Sequence, residues 1–139
     1  MEEKVFKSTV TVKDGLTIEC NSKKHTIVLD KPEISGGNDL GMTPIDALLG
    51  SLGGCKAIVA KITAKEQGFE YSELKIKLEG VLNKKAFYDD NPGLSKGLVR
   101  IHTKYYIKTE ESDEVVDAFI EIVEANDEVL NFFNSFQKG

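Results

Sequence analysis

Residues 43–68, TPIDALLGSLGGCKAIVAKITAKEQG, constrain the fold more than any other part of the chain. Thr43 can cap a helix, Pro44 suits the first helical position, and Asp46 suits the positive end of the first turn. Ile45, Leu48, Leu49, Leu52, Cys55, Val59 and Ile62 recur at helical spacing and predict one helix to about Gln67, closed by Gly68. A second face is small: Ala47, Gly50, Gly54 and Ala57. A glycine inside a helix costs roughly 1 kcal/mol relative to alanine, so Gly50, Gly53 and Gly54 need a compensating contact. Close approach of another backbone, from a crossing helix or a second copy, would supply it. The helix is therefore expected to be buried on most sides, near the centre of the structure.

Strand signals flank this helix. Residues 5–12 alternate, Lys13-Asp14-Gly15 reads as a turn, and Leu16, Ile18 and Cys20 alternate again, which predicts a hairpin. His25, Ile27 and Leu29 mark a third strand. Residues 30–43 form a Pro/Gly-rich loop, long for a structureless connection and so a candidate for function. Beyond the helix, residues 74–82 and 99–107 alternate as antiparallel neighbours joined by a polar loop over 83–96. Ser112, with Asp113 and Glu114 behind it, opens an amphipathic helix to about Ala125. Asn126-Asp127 reads as a second cap before a short helix with Val129, Leu130, Phe132 and Phe133. Strands, a long helix, strands and C-terminal helices make an α+β arrangement rather than βαβ units.

Composition narrows the function classes. The 139 residues are expected to form a single domain (1–139). Eighteen Lys+Arg against 23 Asp+Glu give a net charge of −5, and a pI near 5.1 argues against nucleic-acid binding. No uninterrupted apolar run approaches the ~18 residues of a bilayer span, and the start lacks a secretory apolar region. Two cysteines, Cys20 and Cys55, are too few for a disulfide scaffold, so a reducing cytoplasm is expected. No CxxC, HExxH or His/Cys cluster predicts a metal site, and no cofactor is expected.

Cys55 is the sharpest chemical feature. It can be a small buried hydrophobe, whose thiol would be inert, or a nucleophile needing a stabilising neighbour. Lys56 is adjacent but points about 100° away around the helix, so an activating group must come from elsewhere in space. Cys20 reads as filler on a strand face. His25 and His102 read as solvated or hydrogen-bonded, Asp89-Asp90 as turn chemistry, and Gly36-Gly37 as a possible anion nest that is not a P-loop.

Residues 36–55, GGNDLGMTPIDALLGSLGGC, resemble the signature of the OsmC/Ohr family of osmotically inducible and organic hydroperoxide resistance proteins. A Gly-Gly loop and a Thr-Pro lead into a cysteine-bearing helix, with eleven residues from Pro44 to Cys55, and the element order agrees over essentially the whole chain. The resemblance implies an intertwined homodimer with sites at the subunit interface. It makes Cys55 the candidate peroxidatic thiol, Asp46 a second catalytic candidate, and Gly36, Gly37, Thr43 and Pro44 candidate binding residues. It also implies a second, resolving cysteine in a Cys-Pro-Val-like run, an N-terminal Arg, and a Glu directly after the helix-starting Pro. This chain departs from all three. Asp127-Glu128-Val129 is the nearest equivalent of the resolving run, the only arginine is Arg100, and Ile45 stands at the Glu position with Asp46 beside it.

Two functions follow as expectations. In the first, Cys55 reduces an organic hydroperoxide in a one-cysteine cycle that an external thiol completes, with Cys20 as a less favoured internal resolver. In the second, a non-peroxidase OsmC-like protein binds a small apolar or thiol ligand at the dimer interface. Neither involves nucleic acid or membrane.

Overall fold

The structure, a computed structural model, describes residues 2–84 and 97–131. The chain divides into two compact units, Met1–Leu48 and Leu49–Gly139. Residues 85–96 of the polar loop, with Asp89-Asp90, and Phe132 and Phe133 lie outside the described residues.

The first unit is a three-stranded antiparallel sheet, β1 (Thr9–Val12), β2 (Ile18–Ser22) and β3 (His25–Leu29), in that order. The Asp14-Gly15 turn closes the first hairpin, with Lys13 N–H donating to the Thr17 carbonyl at 2.9 Å. The first strand is shorter than the alternation over 5–12 suggested. Its ladder begins at Thr9 opposite Asn21, and at the end of β2 the Ser22 hydroxyl, rather than a backbone rung, donates to the Lys7 carbonyl at 2.8 Å. Cys20 lies between Val10 and Ile27 in the register and is half-buried.

Residues 30–43 are ordered by one carboxylate. Asp30 is 1% exposed. It accepts Thr17 Oγ1 at 2.7 Å and the backbone N–H groups of Lys31, Asn38 and Leu40 at 2.7, 3.2 and 3.3 Å. The segment also holds a short 3-10 turn, Glu33–Ser35, and a parallel bridge from Leu29 to Met42. The Thr17 hydroxyl, foremost, and these N–H groups hold the Asp30 carboxyl below the usual carboxylate range against its burial.

Helix α1 (Pro44–Gln67) begins in the first unit and carries the chain into the second. Gly68, at φ +66°, ends it in the left-handed region, as the sequence suggests. The second unit adds the antiparallel pair β4 (Glu73–Leu82) and β5 (Leu98–Lys108), then α2 (Asp113–Ala125) and a helical turn over 128–131. Ser112 caps α2, its hydroxyl accepting Val115 N–H at 3.3 Å. The core joins Ala60 and Ala64 of α1, Phe69, and Phe119 and Val123 of α2. Phe69 and Phe119 stack with ring centroids 4.2 Å apart.

The fully buried face of α1 shares only Leu52 with the apolar stripe. Leu52, Gly53, Lys56, Ala60, Thr63 and Ala64 are buried, while Ile45, Leu48, Ile58 and Ile62 are exposed. Burial on most sides is therefore not what a single chain provides. The reason is that β4 and α2 supply enough packing surface for only one stripe, and that stripe is set by small residues and a lysine. Gly53 has its compensating contact: a Cβ there would lie 2.5 Å from Leu78 Cδ1 on β4. Gly50 and Gly54 have no such neighbour among the described residues. Mean hydropathy reaches 1.3 over the best 18-residue window of α1, so it is long and apolar enough to cross a membrane by length and composition only, while Asp46, Lys56 and Lys61 leave no uninterrupted apolar run of that length.

A Gly53→Val change should force Leu78 out of its position and cost about 1–3 kcal/mol by overpacking. Urea denaturation monitored by circular dichroism would show it as a lowered midpoint at unchanged slope.

Candidate functional site around Cys55

The cysteine that the sequence singles out lies beside a buried charge cluster made by three elements of the second unit. Cys55 and Lys56 come from α1, Tyr105 from β5, Glu124 from the end of α2, and Asp127 from the turn that follows. Lys56 is 1% exposed and Asp127 is wholly buried. Lys56 Nζ pairs with Glu124 Oε2 and lies 3.1 Å from Asp127 Oδ2. The Tyr105 hydroxyl donates to Glu124 Oε1 at 2.8 Å. A buried ammonium is tolerated only when paired, and here two carboxylates share it.

Asp127 has two functions in the local fold. Oδ1 accepts the N–H groups of Val129 and Leu130, both at 3.1 Å, and so caps the helical turn over 128–131. Oδ2 faces inward to Lys56 and accepts no aligned hydrogen bond from the described residues. Burial on its own would raise the Asp127 pKa. The Leu130 N–H, the Cys55 thiol and the Lys56 ammonium outweigh it and hold the carboxyl below its ordinary value.

Cys55 is partly exposed, and its thiol feels both Asp127 and the start of the same helical turn electrostatically. Burial is the largest influence and pushes the thiol pKa up. The backbone N–H groups of Val129 and Glu128 favour the thiolate, while the Asp127 carboxylate, as acceptor and as negative charge, opposes it. The result is a thiol held above its usual value. Tyr105 is likewise pushed up, first by burial and then by Glu124. The cluster can take up or release a proton at sulfur, but its electrostatics favour S–H at neutral pH.

The other sequence candidates lie in the first unit. Asp46 forms a cap with Thr43 at the start of α1: Thr43 Oγ1 accepts Asp46 N–H at 3.2 Å and donates to the Asp46 carboxylate at 2.8 Å. Gly36 N–H closes the 3-10 turn on the Glu33 carbonyl, and Gly37 N–H bonds the Pro32 carbonyl, so both amides are engaged by backbone. Pro44 is the first residue of α1. The carboxylate that acts on Cys55 is Asp127, which the sequence marks only as a helix cap and as the stand-in for a resolving cysteine. Lys56 is the other residue the sequence reading missed. A lysine in an otherwise small and apolar stretch was its available signal. Among the described residues no group of three or more His, Cys, Asp and Glu could hold a metal ion.

Removing the shared cation should be expensive. Lys56→Met strands Asp127 without a counter-charge and should destabilise the protein by about 3–5 kcal/mol, read from denaturant unfolding. The acid limb follows from Asp127 and Asp30, whose folded pKa values lie below their unfolded ones near 3.9. Each contributes stability that is complete above the unfolded pKa and is lost as pH falls through the folded one. The urea midpoint should therefore drop on acidification below about pH 4, and less steeply in Asp127→Asn.

Comparison with known proteins agrees with this architecture. The OsmC-like protein family model matches residues 36–135. No curated protein matches the chain by sequence. Among solved structures, the OsmC-like protein from Mycoplasma pneumoniae superposes with a TM-score of 0.83 at 20% identity, covering 96% of this chain and 89% of that one. An organic hydroperoxide resistance protein OsmC from Legionella pneumophila gives 0.63 at 13%, covering 93% and 90%. The organic hydroperoxide resistance protein OhrB of Bacillus subtilis gives 0.56 at 16%, covering 91% and 89%. Over most of its length, from the glycine loop through the cysteine helix to the C-terminal helices, this chain belongs to the OsmC-like family.

Proposed function

We propose that this OsmC-like protein is a thiol-dependent redox protein that reduces organic hydroperoxides at Cys55 in a one-cysteine cycle. The observation that carries the reading is a partly exposed thiol on α1, met by the N–H groups of Glu128 and Val129, at the position of the family's cysteine signature. Relatives of the same fold named for organic hydroperoxide resistance support it. The thiol sulfur attacks the peroxide oxygen that carries hydrogen. The O–O bond breaks, an alcohol leaves, and Cys55 becomes a sulfenic acid. With Asp127 at the resolving position, an external thiol condenses with the sulfenic acid, releasing water. A second thiol then releases the reduced Cys55 and the disulfide of the reductant. Cys20 lies in the first unit, and the cycle does not call on it.

The raised thiol pKa favours a second reading, a non-peroxidase member that binds a small apolar or thiol compound. An open depression of about 330 Å³ borders α1 one turn beyond Cys55, lined by residues including Val59, Ile62, Thr63 and Glu128.

Cumene hydroperoxide consumption with dithiothreitol separates the two. The peroxidase reading expects turnover in wild type and in Cys55→Ala or Cys55→Ser loss of at least 100-fold, on the order of a lost nucleophile. Cys20→Ser should keep wild-type rates. No turnover in wild type, with a small molecule retained in the native mass spectrum, would establish the binder instead.

We further propose a homodimer in which the exposed face of α1, with Gly50, Gly54, Ile58 and Ile62, meets a second copy. Sedimentation should give about twice 15.3 kDa. Gly54→Leu, which meets no described neighbour within the chain, should shift the protein to monomer while leaving its circular dichroism intact.

A further inference from the structure

We propose that the outer face of the β4–β5 pair is a binding site for a small soluble polyphosphate, held by Lys75, Lys77 and Lys104 around the ring of Tyr106. The site is separate from the chemistry of Cys55 and lies on the other side of the sheet. Tyr105 turns inward to Glu124, and Tyr106, the next residue, alternates to the outer face.

The register places the four residues at the corners of a square. Lys75 is opposite Tyr106, and Lys77 is opposite Lys104 on the next rung of the same face. All three lysines are exposed. Their Nζ atoms lie 5.5, 5.4 and 5.5 Å from the Tyr106 ring centroid. Any two of them are therefore at most about 11 Å apart, twice the longest of these distances. The ring attracts each ammonium through its π-electrons, but it does not neutralise any of them.

Like charges directly opposite on one sheet face destabilise the pairing, and Lys77 and Lys104 are such a pair. Among the described residues none of the three lysines makes an ion pair. The two carboxylates of the face are placed elsewhere. Glu73 is tied to Lys108 at 2.8 Å, and Glu79 sits one rung beyond Lys77, opposite His102. With Arg100 and Lys108 counted, the face carries five cations against these two anions, a net +3 on a chain whose total is −5. An acidic protein thus gathers cations on one small face and leaves three of them unanswered. That arrangement costs the free protein stability, and a bound anion relieves it.

The convergence of the three ammonium groups selects the anion. An extended acidic peptide spreads its same-side carboxylates about 7 Å apart along a line, whereas these cations surround a single ring. A polyphosphate carries several charges within a compact volume. Each ammonium has three donors to offer its oxygens, in charge-assisted hydrogen bonds.

Isothermal titration of the full chain with sodium triphosphate at low ionic strength tests the assignment. Saturable binding of one anion per chain is expected, weakening as NaCl is added. Lys77→Gln/Lys104→Gln should reduce the affinity at least about tenfold, the scale of lost charge-assisted contacts. Lys7→Gln/Lys24→Gln, which removes the same charge from the first unit, should leave it unchanged. A second readout needs no ligand. Lys104→Gln alone should raise the urea midpoint at low salt, and NaCl should erase that gain by screening the same repulsion. Absence of triphosphate binding overturns the proposal, and so does equal loss in both double variants, which would be a response to net charge. Binding to phosphatidylglycerol vesicles in place of triphosphate overturns the soluble ligand in favour of a lipid surface. An unchanged or lowered urea midpoint in Lys104→Gln shows the lysines to be balanced already and overturns it as well.

Discussion

The second unit depends on one buried ammonium. Lys56 ties the middle of α1 to the end of α2 through Glu124 and to the following turn through Asp127, while Tyr105 extends the chain of contacts to β5. Three elements that otherwise meet through apolar packing are thereby fixed in angle and register at one point. An apolar residue at 56 could pack against the same neighbours, but it would leave Asp127 buried beside nothing that answers its charge. The small residues around it on α1, Gly53 and Ala60, leave room for β4 and α2 to come close enough for the pairing.

The two units handle a buried carboxylate in contrasting ways. Asp30 has no cation. One hydroxyl and three backbone N–H groups satisfy it, and the segment 30–43 is folded around it as a result. Asp127 also collects backbone N–H groups, but only on one oxygen, and gives the other to Lys56. A carboxylate saturated by neutral donors is a structural knot. One that gives an oxygen to a buried ammonium instead ties its own turn to a neighbouring helix.

The α+β order, the limits of α1, the pairing of β4 with β5 and the Ser112 and Asp127 caps were legible because they rest on local chemistry. Proline at the first helical position, glycine past the last, and alternation over ten residues act within a few residues of where they are read. Cys55 was legible as a position through its spacing from Pro44. Its surroundings were not, because Lys56, Glu124 and Asp127 are separated by up to 71 residues and come together only through the packing of α2 on α1. Helical periodicity even pointed away from Lys56. It assigned the buried side to a stripe of which Leu52 is buried and Val59 packs on the core, while Ile45, Leu48 and Ile62 stay exposed and Lys56 is buried beside small residues. Hydrophobicity ranks residues by what they would gain from burial, but the space available between neighbouring elements decides which of them are buried.

The charge count around the sulfur explains the character of the site. Lys56 follows Cys55 in the sequence, and a lone neighbouring ammonium would favour a thiolate. Here that single positive charge is shared by Glu124 and Asp127, so the cluster carries +1 − 2 = −1. A thiolate would add a second net negative charge in partly buried surroundings. Two N–H groups from the start of a helical turn oppose this, and the burial and Asp127 effects prevail. The buried ammonium beside Cys55 is thus spent on two carboxylates and leaves the thiol above its ordinary value, with burial the largest cause.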